Sequence, residues 1–161
     1  MRILGIDPGS TLIGYGLLEK DSKGLSVLDY GVLTIKAKDP LTKIQEISTV
    51  FPGLLKKWKP DIVGLEKVFF SKNKKTALEV AQARGALSLL ILQNKVSVFE
   101  FTPGEVKLAV TGYGSADKQS VIKMVSQILS ISGLKEDNTA DALAIALASE
   151  QAFQKREKGL D

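Results

Sequence analysis

The order of the apolar segments restricts this chain more than any single motif does. Three strand-like segments at its head are joined as hairpins, and from residue 41 onward short apolar strands alternate with helices. Hairpin-joined strands pair antiparallel, whereas strands separated by a helix return parallel, so both kinds of pairing must meet in one sheet. The expected architecture is α/β in three layers, a mixed five-stranded sheet with helices on both faces. The strands read as Ile3–Ile6, Thr11–Leu18, Leu25–Thr34, Ile62–Leu65 and Val96–Phe101. Helical spacing covers Leu41–Trp58, about Lys74–Asn94, Pro103–Val110, Asp117–Leu129 and about Asn138–Lys155, and Pro52-Gly53 is expected to kink or split the first helix. At 161 residues with 44% hydrophobic content the chain supports one core, so residues 1–155 are taken as a single domain and 156–161 as a fraying tail.

The first strand runs straight into Asp7 and then Pro8-Gly9-Ser10, so one carboxylate stands at the end of a buried apolar run. Two readings are open for it: a turn residue bonding its own backbone, or a functional group held on a rigid hairpin. The fourth strand leads in the same way into Glu66, and a carboxylate there is costly unless it is solvated or coordinated. A third acidic group opens the last helix as Asp137-Asn138-Thr139-Ala140-Asp141, with Asp141 sharing a face with Asn138 or Asp137. Asn138 as N-cap with Asp141 three residues on is the competing local explanation.

The chain has no cysteine and no histidine, which removes thiolate chemistry, ordinary zinc sites and every imidazole base. Carboxylates, lysines, hydroxyls or a bound metal must carry any catalysis. If the last helix packs beside the ends of the first and fourth strands, Asp7, Glu66 and Asp141 converge, and such a cluster is tolerable when a divalent cation neutralises it. Oxygen-only ligands select magnesium or manganese, and a pair of such ions hydrolyses phosphodiesters without histidine. The net charge of +4 is weak evidence for a polyanionic partner, and the cations are nearly all lysine, with Arg2, Arg84 and Arg156 the only arginines. No leader segment opens the chain and no apolar run reaches ~20 residues, so a cytoplasmic location is expected.

Five stretches in order, ILGIDPGSTLIGYGLL, VGLEKVFFSKN, AQARGAL, GYGSADK and TADALAIAL, resemble the RuvC family of bacterial Holliday-junction resolvases over nearly the whole chain. The resemblance implies a ribonuclease H-like fold, a homodimer, Mg²⁺ with Mn²⁺ able to substitute, two ions per subunit during catalysis, and paired symmetric nicks in a four-way DNA junction. By position it makes Asp7, Glu66 and Asp141 metal ligands. The fourth ligand departs from the family pattern, because an acidic residue or histidine is usual where this chain has Asn138, so either Asn138 ligates through its neutral oxygen or Asp137 reaches in. Lys107 and Lys118 match a phosphate-binding pair, Lys118 also compensating charge in the transition state. Phe69 matches an aromatic presented to junction bases, and Lys72, Lys74 and Lys75 give that loop a positive potential. Branch-migration proteins RuvA and RuvB are the implied partners.

For several of these residues plain structure competes: solvated helix lysines at 107 and 118, and core packing for Phe69 and its neighbour Phe70. The small residues Ala77, Ala81, Ala83, Gly85 and Ala86 permit close approach of another helix, either at a dimer interface or on the sheet. Three other functions share part of the pattern. A junction-binding protein without nuclease activity is suggested by Asn138, and a YqgF-like RNA-processing nuclease shares the opening strand. An actin-like ATPase also shares the opening, but it needs two such domains, more than 161 residues supply.

Overall fold

Strand residues alternate between two cores, and that alternation positions everything else. The computed structural model describes residues 1–67, 74–134 and 138–159. Its elements are β1 (Arg2–Asp7), β2 (Leu12–Asp21), β3 (Gly24–Thr34), α1 (Pro40–Trp58), β4 (Ile62–Glu66), α2 (Lys74–Gln93), β5 (Ser97–Phe101), α3 (Pro103–Thr111), α4 (Lys118–Leu129) and α5 (Asn138–Glu157). The sheet order is β3-β2-β1-β4-β5. β1 pairs antiparallel with β2 and parallel with β4, so the expected mixed five-stranded sheet is present. Ile3, Leu18 and Ile62 pack with α3, α4 and α5, whereas Leu4, Ile6, Leu17, Val63 and Leu65 face α1 and α2 from the other side. The period of two then carries Asp7 and Glu66 onto the α5 face.

α5 lies unusually close to the sheet because glycines clear a path for it. Gly16, Gly5 and Gly64 are neighbours across β2, β1 and β4 in the pairing register. A Cβ on Gly5 would lie 2.0 Å from the Ala142 carbonyl oxygen, and one on Gly64 would lie 1.9 Å from Ser149 Oγ. The facing side of α5 is correspondingly small and apolar, and Ala140 and Ala142–Ala148 are all buried. This close contact sets the axial position of Asp141.

The helix ends follow their sequence signals. Asp39 caps α1 by accepting from the Thr42 amide, with Pro40 in the first turn, and Thr102 with Glu105 forms a reciprocal capping box on α3. The expected split at Pro52 does not occur: α1 runs unbroken from Pro40 to Trp58. Proline removes one main-chain donor, but Ile47, Phe51, Leu54 and Leu55 bury the helix face on both sides of it, and tertiary packing outweighs the local penalty. α5 continues to Glu157, two residues past its expected end. Among the described residues no helix is long and apolar enough to cross a membrane.

The small residues of α2 divide between environments. Ala77 and Ala83 are buried, Ala83 in the core that α2 shares with the sheet, while a Cβ on Gly85 would meet nothing within 4 Å. The outward face instead carries Leu78, Leu89 and Leu92, which are 57%, 57% and 63% exposed.

Candidate active site

Asp7 is the last residue of β1 and is paired across the ladder with Gly14 of β2. It is therefore a strand residue, not a turn residue. Glu66 ends β4 one strand away, and the parallel register that pairs Ile6 with Leu65 brings the two strand ends side by side. Asn138 is the first residue of α5, and Asp141 lies one turn further on. α5 then sets its first turn over these strand ends: a Cβ on Gly14, the ladder partner of Asp7, would come 2.1 Å from the Asn138 carbonyl.

The electrostatics record this convergence. Burial, then the nearby Asp141 charge, pushes Asp7 up from its ordinary 3.8 to about 6, against the opposing pull of Lys118. Burial, then Asp7 and Asp141, pushes Glu66 up from 4.5 to about 7, with Lys107 opposing. Asp141 itself faces Lys118, whose Nζ stands 3.1 Å from Oδ2. Three acids and two lysines thus share one field, and all but Asp7 line a cleft of about 220 Å³ together with Pro103 and Val121. Both lysines are helix residues, and the Lys118 side chain is 45% exposed while it pairs with Asp141.

Among the described residues no three acidic side chains stand in a ready-made group at metal-holding distance. The donor set nonetheless suits a hard divalent cation. It is all oxygen, mutually repelling and partly desolvated, so a cation relieves a cost the protein otherwise bears. Asn138 Nδ2 donates to the Leu12 carbonyl at 3.2 Å, tying α5 to the start of β2. Lys74 and Lys75 open α2. Phe69, Lys72 and Asp137 lie outside the described residues.

Sequence patterns do not mark the glycine path or the Asn138–Leu12 tie. A run of Gly at alternate strand positions, GYG in β2 and single glycines in β1 and β4, is the available signal, but its meaning depends on which helix crosses it.

The pKa shifts imply a measurable pH dependence. Asp7 and Glu66 both titrate higher in the folded chain than unfolded, so folding takes up protons between about pH 4 and pH 7. Stability of the metal-free protein should then fall as pH rises through that window and level off above it. For Asp7 alone, the rise from 3.8 to about 6 corresponds to about 3 kcal/mol. Thermal melts in chelator from pH 4 to 8 test this, and a divalent cation added at the upper end should return the loss. A melting temperature that rises steadily from pH 4 to 8 in chelator would contradict it.

Known proteins place the fold and site in context. A profile of the family described as crossover junction endodeoxyribonuclease RuvC matches residues 3–149. The crossover junction endodeoxyribonuclease RuvC of Caldicellulosiruptor saccharolyticus is 43% identical over 150 residues, 91% of this chain and 90% of the relative. That of Halothermothrix orenii is 40% identical over 160 residues, covering 98% and 97% of the two chains. The structure of Thermus thermophilus RuvC in complex with a Holliday junction substrate superimposes with a TM-score of 0.85 at 32% identity, over 99% of this chain and 97% of that one. In sequence along nearly its whole length and in its ribonuclease H-like fold, the chain belongs to the RuvC family of crossover junction endodeoxyribonucleases.

Proposed function

We infer that this protein is a metal-dependent endonuclease that resolves four-way DNA junctions by paired, symmetric nicks in recombination and repair. The observation that carries the reading is the cleft lined by Glu66, Asp141, Lys107 and Lys118, with Asp7 in the same electrostatic field, in a chain of this family. Asp7, Glu66 and Asp141 hold the cation, with Asn138 or Asp137 as the fourth donor. Mg²⁺ is the natural ion and Mn²⁺ its substitute, two per subunit during catalysis, supplying an activated water and charge neutralisation at the leaving oxygen. Lys107 binds the neighbouring phosphate. Lys118, at 3.1 Å from Asp141, holds that carboxylate and offsets negative charge as the phosphodiester is attacked. Phe69 stacks on a junction base, and Lys72, Lys74 and Lys75 attract the backbone beside it.

A labelled synthetic four-way junction and a linear duplex, each incubated with and without magnesium, test the reading. Paired nicks in the junction alone, only with the cation, are expected. Binding without cleavage in magnesium would overturn the nuclease assignment, and cleavage of RNA in preference to the junction would overturn the substrate.

Symmetric incision of a two-fold junction needs two sites related by a two-fold axis, so the active form is a homodimer. Leu78, Leu89 and Leu92 on α2 are the supporting observation, since their exposure leaves an apolar stripe next to an uncrowded Gly85. Light scattering should give a dimer mass, and Leu89→Lys with Leu92→Lys should give a monomer that binds junctions without nicking both strands. Acting on chromosomal junctions, the dimer works in the cytoplasm with the RuvA and RuvB branch-migration proteins.

Asn138 has its own expected result. Asn138→Asp exchanges the Leu12 hydrogen bond for a charge. The melting temperature should drop by roughly 3 °C, from loss of about 1 kcal/mol, and the magnesium needed for half-maximal cleavage should also drop. An unchanged magnesium requirement in both Asn138→Asp and Asn138→Ala would remove Asn138 from the ligand set and turn attention to Asp137→Ala.

A further inference from the structure

Glu66 projects its carboxylate onto the α5 face, so its main chain must be fixed independently at the end of β4. Amide and carbonyl groups of successive strand residues point alternately to the two neighbouring strands. Met1 exchanges main-chain hydrogen bonds with Lys20 of β2, which leaves the even-numbered residues of β1 addressing β4. The Lys67 amide donates to the Phe101 carbonyl of β5 at 2.8 Å, which leaves Glu66 addressing β1. The next residue on that side, Pro8, stands just past the end of β1, and proline has no N–H. The Glu66 carbonyl thus lies where β1 has ended and the following proline has no main-chain donor to offer.

A side chain supplies the donor instead. Arg84 of α2 donates from Nε to the Glu66 carbonyl at 3.0 Å, and its Nη2 is paired with the Glu100 carboxylate of β5. α2 packs on the opposite face of the sheet from the cleft, where Ala83 and Leu87 lie against Leu65 in one core. We propose that Arg84 is a positioning residue for Glu66, supplying from behind the sheet the donor that Pro8 lacks and so fixing the direction in which the Glu66 carboxylate leaves the strand. It acts through the main chain, not through charge. The charges that move the Glu66 carboxyl are Asp7, Asp141 and Lys107, while the guanidinium of Arg84 is engaged by Glu100. Nothing in the sequence marks this role, since Arg84 reads as an ordinary helix arginine.

The proposal rests on Glu66 as a metal ligand, so the test separates the two. Mn²⁺ binding, followed by the electron paramagnetic resonance of the free ion, is measured for the intact protein and for Glu66→Gln, Arg84→Met, Glu100→Gln, Pro8→Ala and the Pro8→Ala/Arg84→Met double variant, with melting temperatures alongside. Arg84→Met should weaken Mn²⁺ binding about tenfold, the usual size for loss of a group that orients a ligand, and Glu100→Gln should weaken it less. Because Pro8→Ala restores an N–H opposite the Glu66 carbonyl, the Arg84→Met penalty in that background should shrink to about twofold. Unchanged Mn²⁺ binding in Arg84→Met, or an equal penalty in both backgrounds, would overturn the proposal. If Arg84→Met does not fold, unchanged binding in Glu100→Gln overturns it and weakened binding supports it. Unchanged binding in Glu66→Gln would instead sink the metal-site reading itself.

Discussion

Asp7→Asn should abolish junction cleavage while the junction remains bound. The variant keeps the shape of the side chain at the end of β1 and removes one of the three charges that crowd the cleft. Loss of a ligand from a hydrolytic metal site costs several kcal/mol of transition-state stabilisation, so about 10³-fold or more in rate is expected. Glu66→Gln and Asp141→Asn should behave alike, because Asp7, Glu66 and Asp141 act on one another in a single field. Binding should persist if, as proposed, lysines such as Lys107 contact phosphate independently of the acids. The fold should not suffer. Asp7 bears its charge against burial and against Asp141, so metal-free Asp7→Asn should melt at or above the temperature of the parent protein at pH 7.5. Gel-shift, single-turnover cleavage and melting of the three variants measure these outcomes. Cleavage within a few-fold of the parent by any one of them would take that residue out of the metal site, and a lowered melting temperature would mean that Asp7 is structural.

Gly5→Ala should be the most damaging small substitution in the sheet. The added Cβ would sit 2.0 Å from the Ala142 carbonyl oxygen and 2.5 Å from the Ala146 amide nitrogen, both main-chain atoms of α5 that have no rotamer to change. Either α5 lifts from the sheet or β1 bows, and both movements shift Asp141 relative to Asp7. Overpacking of this kind costs about 3 kcal/mol or more, roughly 10 °C in melting temperature for a chain of this size. Cleavage should fall further than stability, because Asp141 moves with the helix. Gly53→Ala is the contrast: it lies in α1 with nothing within 4 Å of the new Cβ, and alanine in a helix interior should stabilise by up to about 1 kcal/mol. A Gly5→Ala protein that melts within 2 °C of the parent would show that the sheet and α5 are not locked together at this point.

Much of the fold is legible in the chain because local rules agree with global ones. The hairpin strands, the buried segment before Glu66 and the amphipathic spacing of α4 each state their type through periodicity, and the sheet follows from their order. The acidic site is legible in part. A carboxylate that directly follows a buried strand is conspicuous, which singles out Asp7 and Glu66. Asp141 is not conspicuous, since an acid in the first turn of a helix has an ordinary explanation in capping and the helix dipole. The expected split at Pro52 did not occur, because local and tertiary terms opposed each other there and the apolar face of α1 kept the helix continuous.

The sequence alone determined which elements form, which residue types can do chemistry without histidine or cysteine, and which strand ends carry carboxylates. These are properties of a residue and its near neighbours, governed by backbone sterics, side-chain period and titration chemistry. Only the tertiary structure decided that Asn138 ties α5 to Leu12, that Lys118 faces Asp141, and that Arg84 reaches the Glu66 carbonyl. Asn138 and Leu12 lie 126 residues apart in the chain and Arg84 and Glu66 lie 18 apart, and no periodicity links such positions. They meet because glycines across β2, β1 and β4 let α5 settle onto one face while α2 covers the other, and that packing is fixed by the sum of both cores rather than by any local pattern.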